Sequence, residues 1–150
     1  MPSGLRKRAT AVIIENGKIL LIHRIKPNED YFIFPGGGVE EGETIEDALK
    51  REVTEEITLE VKKFKLLFSL QNIKVPHMIT IHTGNRDEFF FKIEEYVGTP
   101  EIGGPEKERM NDKNQYHLVW IDLNKLKEKE NVYPKEGVQK LLEVLSLNNK

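Results

Sequence analysis

The run Arg51-Glu52-Val53-Thr54-Glu55-Glu56 carries three carboxylates at helical spacing beside an arginine. On a helix advancing about 100° per residue, Glu52, Glu55 and Glu56 fall within an arc of roughly 100°. Like charges three and four residues apart repel in an isolated helix, and a desolvated carboxylate is costly unless something pairs with it. Arg51 reaches Glu55 at the four-residue spacing, but one arginine does not neutralise three acids. A divalent cation does. Hard oxygen ligands in this number suit Mg2+ or Mn2+ better than zinc, which prefers nitrogen and sulfur.

A helix must hold these acids. Thr44 followed by Asp47 is close to a capping box, and Glu43, Glu46 and Asp47 bring negative charge to the positive end of a helix dipole. Ile45, Ala48, Leu49, Val53 and Ile57 then recur with a helical period, which predicts a helix from about Thr44 to Ile57. Glu52 points between Ala48 and Ile45, inside the apolar face. Upstream, Phe34 before Pro35 is driven toward extended backbone, so Tyr31 to Phe34 reads as a short strand ending at the proline. Gly36, Gly37 and Gly38 let a ligand approach the main chain. A carbonyl or amide of this glycine loop is expected to meet the same metal–phosphate group as the helix carboxylates.

Gly37, then Glu43, then Arg51-Glu52-Val53-Thr54-Glu55-Glu56-Ile57-Thr58-Leu59 resembles the Nudix box, the motif of the MutT-like Nudix hydrolases. The resemblance implies a loop–helix–loop that binds magnesium and hydrolyses nucleoside diphosphates linked to another group. It also implies a mixed sheet between helices in an α/β/α sandwich. Carried over position by position, Glu52, Glu55 and Glu56 are the expected metal ligands, with the Gly36 carbonyl a further one. Arg51 would orient the glutamates and Glu43 would brace the loop by a salt bridge or amide bonds. Gly37 and Gly38 would line the metal–phosphate group, and Arg24, on the strand upstream, would contact substrate phosphate. An alternative for Arg24 is a solvated strand-end residue.

Thr58 departs from the pattern, which carries glycine there. Glycine after a helix usually supplies its left-handed turn, and a β-branched residue in that turn is strained by about 1–3 kcal/mol. Thr58 is therefore expected to avoid positive φ, the helix ending by another route.

The 150 residues suit one domain with a core that buries roughly 70% of the unfolded surface. A formal charge of −2 argues against nonspecific nucleic-acid or anionic-membrane binding, though not against small anionic substrates gathered by a metal. Without cysteine, disulfides, thiol catalysis and zinc–thiolate sites are excluded. No apolar run is long enough to span a membrane, and Met1 to Arg8 lacks a signal-peptide core, so a cytoplasmic location is expected.

Around the box, Arg8–Glu15 and Lys18–Lys26 flank Asn16-Gly17, a hairpin signal. The second strand carries apolar residues on both faces, as in a sheet covered by helices. Pro27 to Asp30 and Gly84 to Asp87 read as turns, Gln71 to Pro76 as a loop, and Leu59–Leu70, Met78–Thr83 and Glu88–Tyr96 as strands. Phe89, Phe90 and Phe91 must occupy both faces of the last, and core packing is their expected use. His77 and His82 are expected to be structural. Trp120, on a strand with His117, reads as core. Asn124–Glu130 reads as a short helical turn, and Tyr133-Pro134 precedes a helix with Val138, Leu141, Leu142 and Leu145 on one stripe.

The long polar segment Val97–Gln115 is either functional or a solvated loop. Glu106 and Glu108 are its candidates for a further metal ligand or for the base that activates water. Arg109, Asn111, Asn114 and Gln115 are candidates for phosphate or base contacts. The expected activity is metal-assisted attack of water on a phosphoanhydride in a nucleoside diphosphate derivative. Glu55 or Glu56 within the box, or Glu106 or Glu108 outside it, would act as base. A competing reading, a sensor that binds a nucleotide without turnover, rests on Thr58 alone.

Overall fold

The structure, a computed structural model, describes residues 6–74 and 85–148. Its strands are β1 Arg6–Val12, β2 Ile14–Glu15, β3 Lys18–Lys26, β4 Glu29–Ile33, β5 Gly36–Gly38, β6 Glu60–Lys74, β7 Asn85–Val97, β8 Gln115–Asp122 and β9 Val132–Tyr133. Its helices are α1 Ile45–Ile57, α2 Gly104–Arg109, α3 Leu123–Leu126 and α4 Lys135–Asn148. The expected residues His77 and His82, and the strand expected at Met78–Thr83, lie outside the described residues.

The architecture is α/β, with the strands in two sheets. One is mixed, in the order β5-β1-β7-β6, with β1 and β7 parallel. The other runs β2-β3-β4-β9, with β8 on the free side of β3. Alternation of side chains along β1, β3 and β7 divides the core in two. Ala9, Ala11, Leu20, Ile22 and Phe91 pack with Ala48, Leu49, Val53 and Ile57 of α1. Val12, Ile19, Leu21 and Phe90 pack with Val138 and Leu141 of α4. The two adjacent phenylalanines thus serve opposite faces, and β3 is covered on both sides as its apolar pattern requires.

Several local expectations need correction. The glycine run is a strand, β5, paired antiparallel with β1 through Thr10↔Gly36, Ala9↔Gly37 and Arg8↔Gly38. Only glycine fits there, since a Cβ at Gly36 would collide with the Ala9 carbonyl and φ is +144°. Glu29 and Asp30 belong to β4, leaving the turn to Pro27 and Asn28. Gln71–Lys74 and Asn85–Asp87 extend the β6–β7 pair, where four register shifts absorb residues that break strict alternation. The helical turn after β8 is shorter than expected, ending at Leu126. Trp120 is not core: it lies on edge strand β8 opposite Leu20 and is 39% exposed. No described helix is long and apolar enough to cross a membrane.

Candidate active site

The start of α1 follows its sequence. Thr44 is the N-cap, its hydroxyl accepting from the Asp47 N–H at 3.0 Å, with Glu46 and Asp47 in the first turn. Ala48, Leu49, Val53 and Ile57 are buried and thereby fix the rotation of the helix. That rotation turns Glu52 and Glu56 toward β5. Glu52 lies against Gly37 so closely that a Cβ on Gly37 would overlap its carboxylate. Glu56 Oε1 accepts the Gly36 N–H at 2.8 Å. Glu55 turns outward and is 52% exposed at its side chain.

Arg51 sits among these acids. Its Nε and Nη2 donate to Glu43 at 2.8 and 2.9 Å, Nη1 to Glu52 Oε1 at 2.7 Å and to Glu55 Oε2 at 3.3 Å. Nη2 also donates to the Gly38 carbonyl at 3.1 Å, tying helix to glycine strand. Glu43 accepts in addition from the Glu40 N–H at 3.0 Å. The Arg51 bond, followed by that amide, holds the Glu43 carboxyl down at about 2. The same pairing pushes the Arg51 guanidinium further up, so its charge is permanent.

Glu52 and Glu56 show the opposite behaviour. Burial pushes the Glu52 carboxyl up in spite of Arg51. Burial pushes Glu56 up to about 8, against the charge of Arg8 and the Gly36 amide, with Glu106 and Glu52 adding repulsion. Among the described residues no three acidic or histidine side chains converge as a ready-made metal cage. Mg2+ does not need one: it keeps several waters and is commonly held by one or two carboxylates together with substrate phosphates. Glu52, held by Arg51, and Glu56, which accepts the Gly36 amide, are two carboxylates turned toward β5 and fit that mode of binding.

The segment after β7 reaches the same place by backbone contacts. The last carbonyls of α1 accept from this segment, Glu56 O from Gly103 N at 2.7 Å and Ile57 O from Glu101 N at 3.2 Å. Gly103 is required by proximity, since a Cβ there would overlap the Glu55 carbonyl. This docking sets α2 beside α1, and Glu106 lies near enough to Glu56 for its charge to be felt. Glu106 Oε1 is buried without a hydrogen-bond partner among the described residues. Glu108, one helical face away, is exposed.

Thr58 occupies the left-handed region, φ 59° and ψ 28°, contrary to expectation. The helix ends there in the way a glycine would end it, Thr58 N donating to Thr54 O at 3.1 Å. Two hydroxyl bonds hold the strained turn: Thr54 Oγ1 to Leu59 O at 2.8 Å and Thr58 Oγ1 to Thr99 O at 3.2 Å.

Arg24 is 7% exposed, so the solvated alternative does not hold. Its Nη1 donates to Asn114 Oδ1 at 2.9 Å and to the Gln115 carbonyl at 3.0 Å, and its guanidinium lies 3.7 Å over the Tyr116 ring. These bonds fasten the start of β8 to β3 and do not run to the glutamates. Asn111 and Asn114 pair with each other by backbone bonds at 3.1 Å, and Arg109 is exposed.

Sequence reasoning missed Arg8, Thr10, Arg86 and Glu88. Glu88 is fully buried, accepting from Thr10 Oγ1 at 2.7 Å and from Arg86 Nε at 3.0 Å. Parity was the available signal: Glu88 shares a strand face with Phe90, and Arg8 and Thr10 share one with Val12, positions that should point inward.

The model of the NUDIX domain matches residues 5–141. An RNA pyrophosphohydrolase of Pseudomonas fluorescens (strain SBW25) is 39% identical over 67 residues, 44% of this chain and 41% of that protein. That of Baumannia cicadellinicola is 38% identical over 65 residues, 41% of this chain and 40% of that protein. The matched part therefore spans about two fifths of the length of these relatives. Among solved structures, the MutT NUDIX hydrolase from Burkholderia pseudomallei is 25% identical with a TM-score of 0.63, over 81% of this chain and 86% of that one. The E. coli ORF135 protein, 23% identical, shares the fold at a TM-score of 0.71 over 99% and 96% of the two chains. The box geometry and the extent of the domain match together place this chain in the Nudix hydrolase family.

Proposed function

We propose that the protein is a divalent-metal-dependent pyrophosphohydrolase that cleaves a phosphoanhydride in a nucleoside diphosphate derivative by attack of water. The observation that carries this reading is the Glu56 carboxylate bonded to the Gly36 N–H, with Glu52 against Gly37 and the unpartnered Glu106 oxygen beside it. Half-buried acids, Glu56 without a salt bridge among the described residues, suit a cation. When bound, Mg2+ or Mn2+ would neutralise the diphosphate, polarise the attacked phosphorus and lower the pKa of a water.

The protein's own groups divide the remaining work. Glu52 and Glu56 would hold the cation, with Glu55 and the Gly36 carbonyl as further oxygens at its edge. Arg51, locked by Glu43, fixes Glu52 in place. Glu106 is favoured over Glu108 as the base, because its carboxylate faces the site and Glu108 faces solvent. Phosphoryl chemistry depends mostly on positioning and charge stabilisation, which a rigid helix and strand supply.

The RNA pyrophosphohydrolase name of the curated relatives supports a pyrophosphate-containing substrate and makes RNA one to test. The test is product analysis on a panel containing ADP-ribose, dinucleoside polyphosphates, nucleoside triphosphates, nucleotide sugars and 5′-triphosphorylated RNA. It is run with magnesium or manganese beside a Glu56→Gln control. Metal-dependent cleavage that disappears in the control is expected. Tight metal-dependent binding of one member with no product would instead identify a sensor.

A further inference from the structure

The two long sheet edges are built differently. β6 closes one sheet and carries Lys62, Lys63, Lys65 and Lys74 together with four register shifts. Lysines and bulges are the usual guards against pairing with another chain. β8 closes the open side of β3, and its register runs unbroken from Gln115↔Ile25 to Asp122↔Lys18. From Gln115 to Ile121 it holds no lysine, arginine, acid, proline or glycine. Trp120, 39% exposed, lies along it.

Hydrogen-bond parity shows which backbone groups of β8 are free. Leu20 N donates to Ile13 O at 2.9 Å, so Leu20, and with it its partner Trp120, turns its main chain away from the β3–β8 seam. Leu123 N bonds back to Gly17 O, and Tyr116 N faces outward to Met110 Sδ at 3.5 Å, as the alternation requires. Leu118 and Trp120 therefore direct their N–H and C=O groups to the open side, where no described residue pairs with them. Nearer the start of the strand the edge is occupied, Asn111 bonding Asn114 in both directions at 3.1 Å.

A second copy fits this edge in one register. Continuing the sheet about a two-fold axis perpendicular to it opposes residues of like parity, so that both side chains stand on one face. A centre at Leu118 would run Asp122 of the second copy onto Asn114, whose edge Asn111 already fills. A centre at Trp120 would bring Leu118 onto Asp122, the N-cap of α3. A centre at Val119 avoids both. It opposes Leu118 of each copy to Trp120 of the other, and each such pair exchanges both main-chain bonds. Trp120 then covers Leu118 on one face, and Val119 meets its own copy on the other. The strand ends with Asp122 opposite Tyr116, where only the flexible Met110 thioether has to yield. Asp122 there lies beside the exposed Arg109, whose carbonyl accepts from Asn114 Nδ2 at 3.1 Å. Opposite charges thus meet at both ends of the pair, and no like charges face each other.

We propose that the protein self-associates by antiparallel pairing of β8 with β8 of a second copy, centred on Val119. So short a pairing buries less than the ~800 Å² per partner of a stable complex, so the dimer is reversible and grows with concentration. It adjoins Met110, the residue that ends α2. The pairing does not depend on the hydrolase reading.

The test uses the absence of cysteine: a single introduced one can form a disulfide only with another copy. In this register the two Val119 Cα atoms stand ~4.5 Å apart, within disulfide reach, whereas His117 faces Ile121. Val119→Cys is expected to cross-link on mild oxidation and His117→Cys is not. Sedimentation velocity of the parent protein, from micromolar to millimolar concentration, is expected to show a monomer–dimer equilibrium. Trp120→Lys, which places a charge on the edge, should weaken it ~10-fold or more with an unchanged melting temperature. The cysteine pair decides the register even if Trp120→Lys folds poorly. A monomer at millimolar concentration, a dimer indifferent to Trp120→Lys, or equal cross-linking of the two cysteine variants would overturn the pairing.

Discussion

Glu56 Oε1 and the Gly36 N–H lie 2.8 Å apart, a bond that joins the last turn of α1 to the first residue of β5. It places an acid held at about 8 in contact with main chain at the site. In the folded protein Glu56 keeps a proton over a pH range where the unfolded chain, with a glutamate pKa of about 4.3, has released it. A raised folded-state pKa contributes stability that is fully present below the unfolded value and is lost as pH rises through the folded one. Metal-free protein should therefore melt at a lower temperature near about pH 8 than near about pH 5. Glu56→Gln should flatten that slope, and magnesium should do the same by replacing the proton with a cation. Thermal melts in EDTA and in magnesium measure this, and an unchanged slope in Glu56→Gln would remove Glu56 as its source.

Gly37→Ala separates activity from stability. Its new methyl meets the end of the Glu52 side chain, which can swing aside, rather than backbone. The expected result is a folded protein with turnover reduced by about two orders of magnitude, because a displacement of ~1 Å at a reacting group costs that much. Gly36→Ala meets the Ala9 carbonyl instead and should unfold the β1–β5 edge. Comparing circular dichroism melts with turnover for the two variants distinguishes these effects; near-normal turnover in Gly37→Ala would mean that Glu52 does not act from its present position.

The box was legible because its chemistry is local. A cap at Thr44, an apolar stripe and the acids between them all lie on one helix, so periodicity alone places Glu52 among Ala48 and Ile45. β3 was legible for the same reason, as an apolar run on both faces. The glycine run was not, since three glycines carry no side-chain pattern and their pairing with Thr10, Ala9 and Arg8 is nonlocal. Glu88 escaped because its partners lie on another strand, Thr10 being 78 residues away in the chain. Trp120 misled because its size suggested burial, while its strand turned out to be an edge.

Thr58→Gly tests the one departure from the family pattern. A left-handed turn costs a β-branched residue about 1–3 kcal/mol, whereas glycine loses more chain entropy on folding, about 0.5–1 kcal/mol. The Thr58 Oγ1 bond to Thr99 O, 3.2 Å and exposed, offsets little of that. Thr58→Gly should therefore be more stable by up to about 1 kcal/mol in urea denaturation, with metal-dependent activity retained or raised. A destabilised variant would show that the hydroxyl bond to the loop outweighs the strain.

Glu106 and Glu108 share one short helix but face different surroundings, and the contrast is itself a test. The loop before α2 is fixed by Gly103 N on Glu56 O at 2.7 Å, which delivers Glu106 to the carboxylate cluster and leaves Glu108 in solvent. Glu106→Gln keeps the volume and removes the proton acceptor, so kcat on a cleaved substrate should fall by about 10²–10⁴-fold with KM little changed. Glu108→Gln should stay within a few-fold of the parent protein. Gly103→Ala should reproduce the Glu106 defect without touching that side chain, since its methyl would overlap the Glu55 carbonyl and lift α2 away. If Glu106→Gln keeps full kcat while Glu56→Gln does not, proton removal belongs to the box, and α2 serves to cover the end of α1.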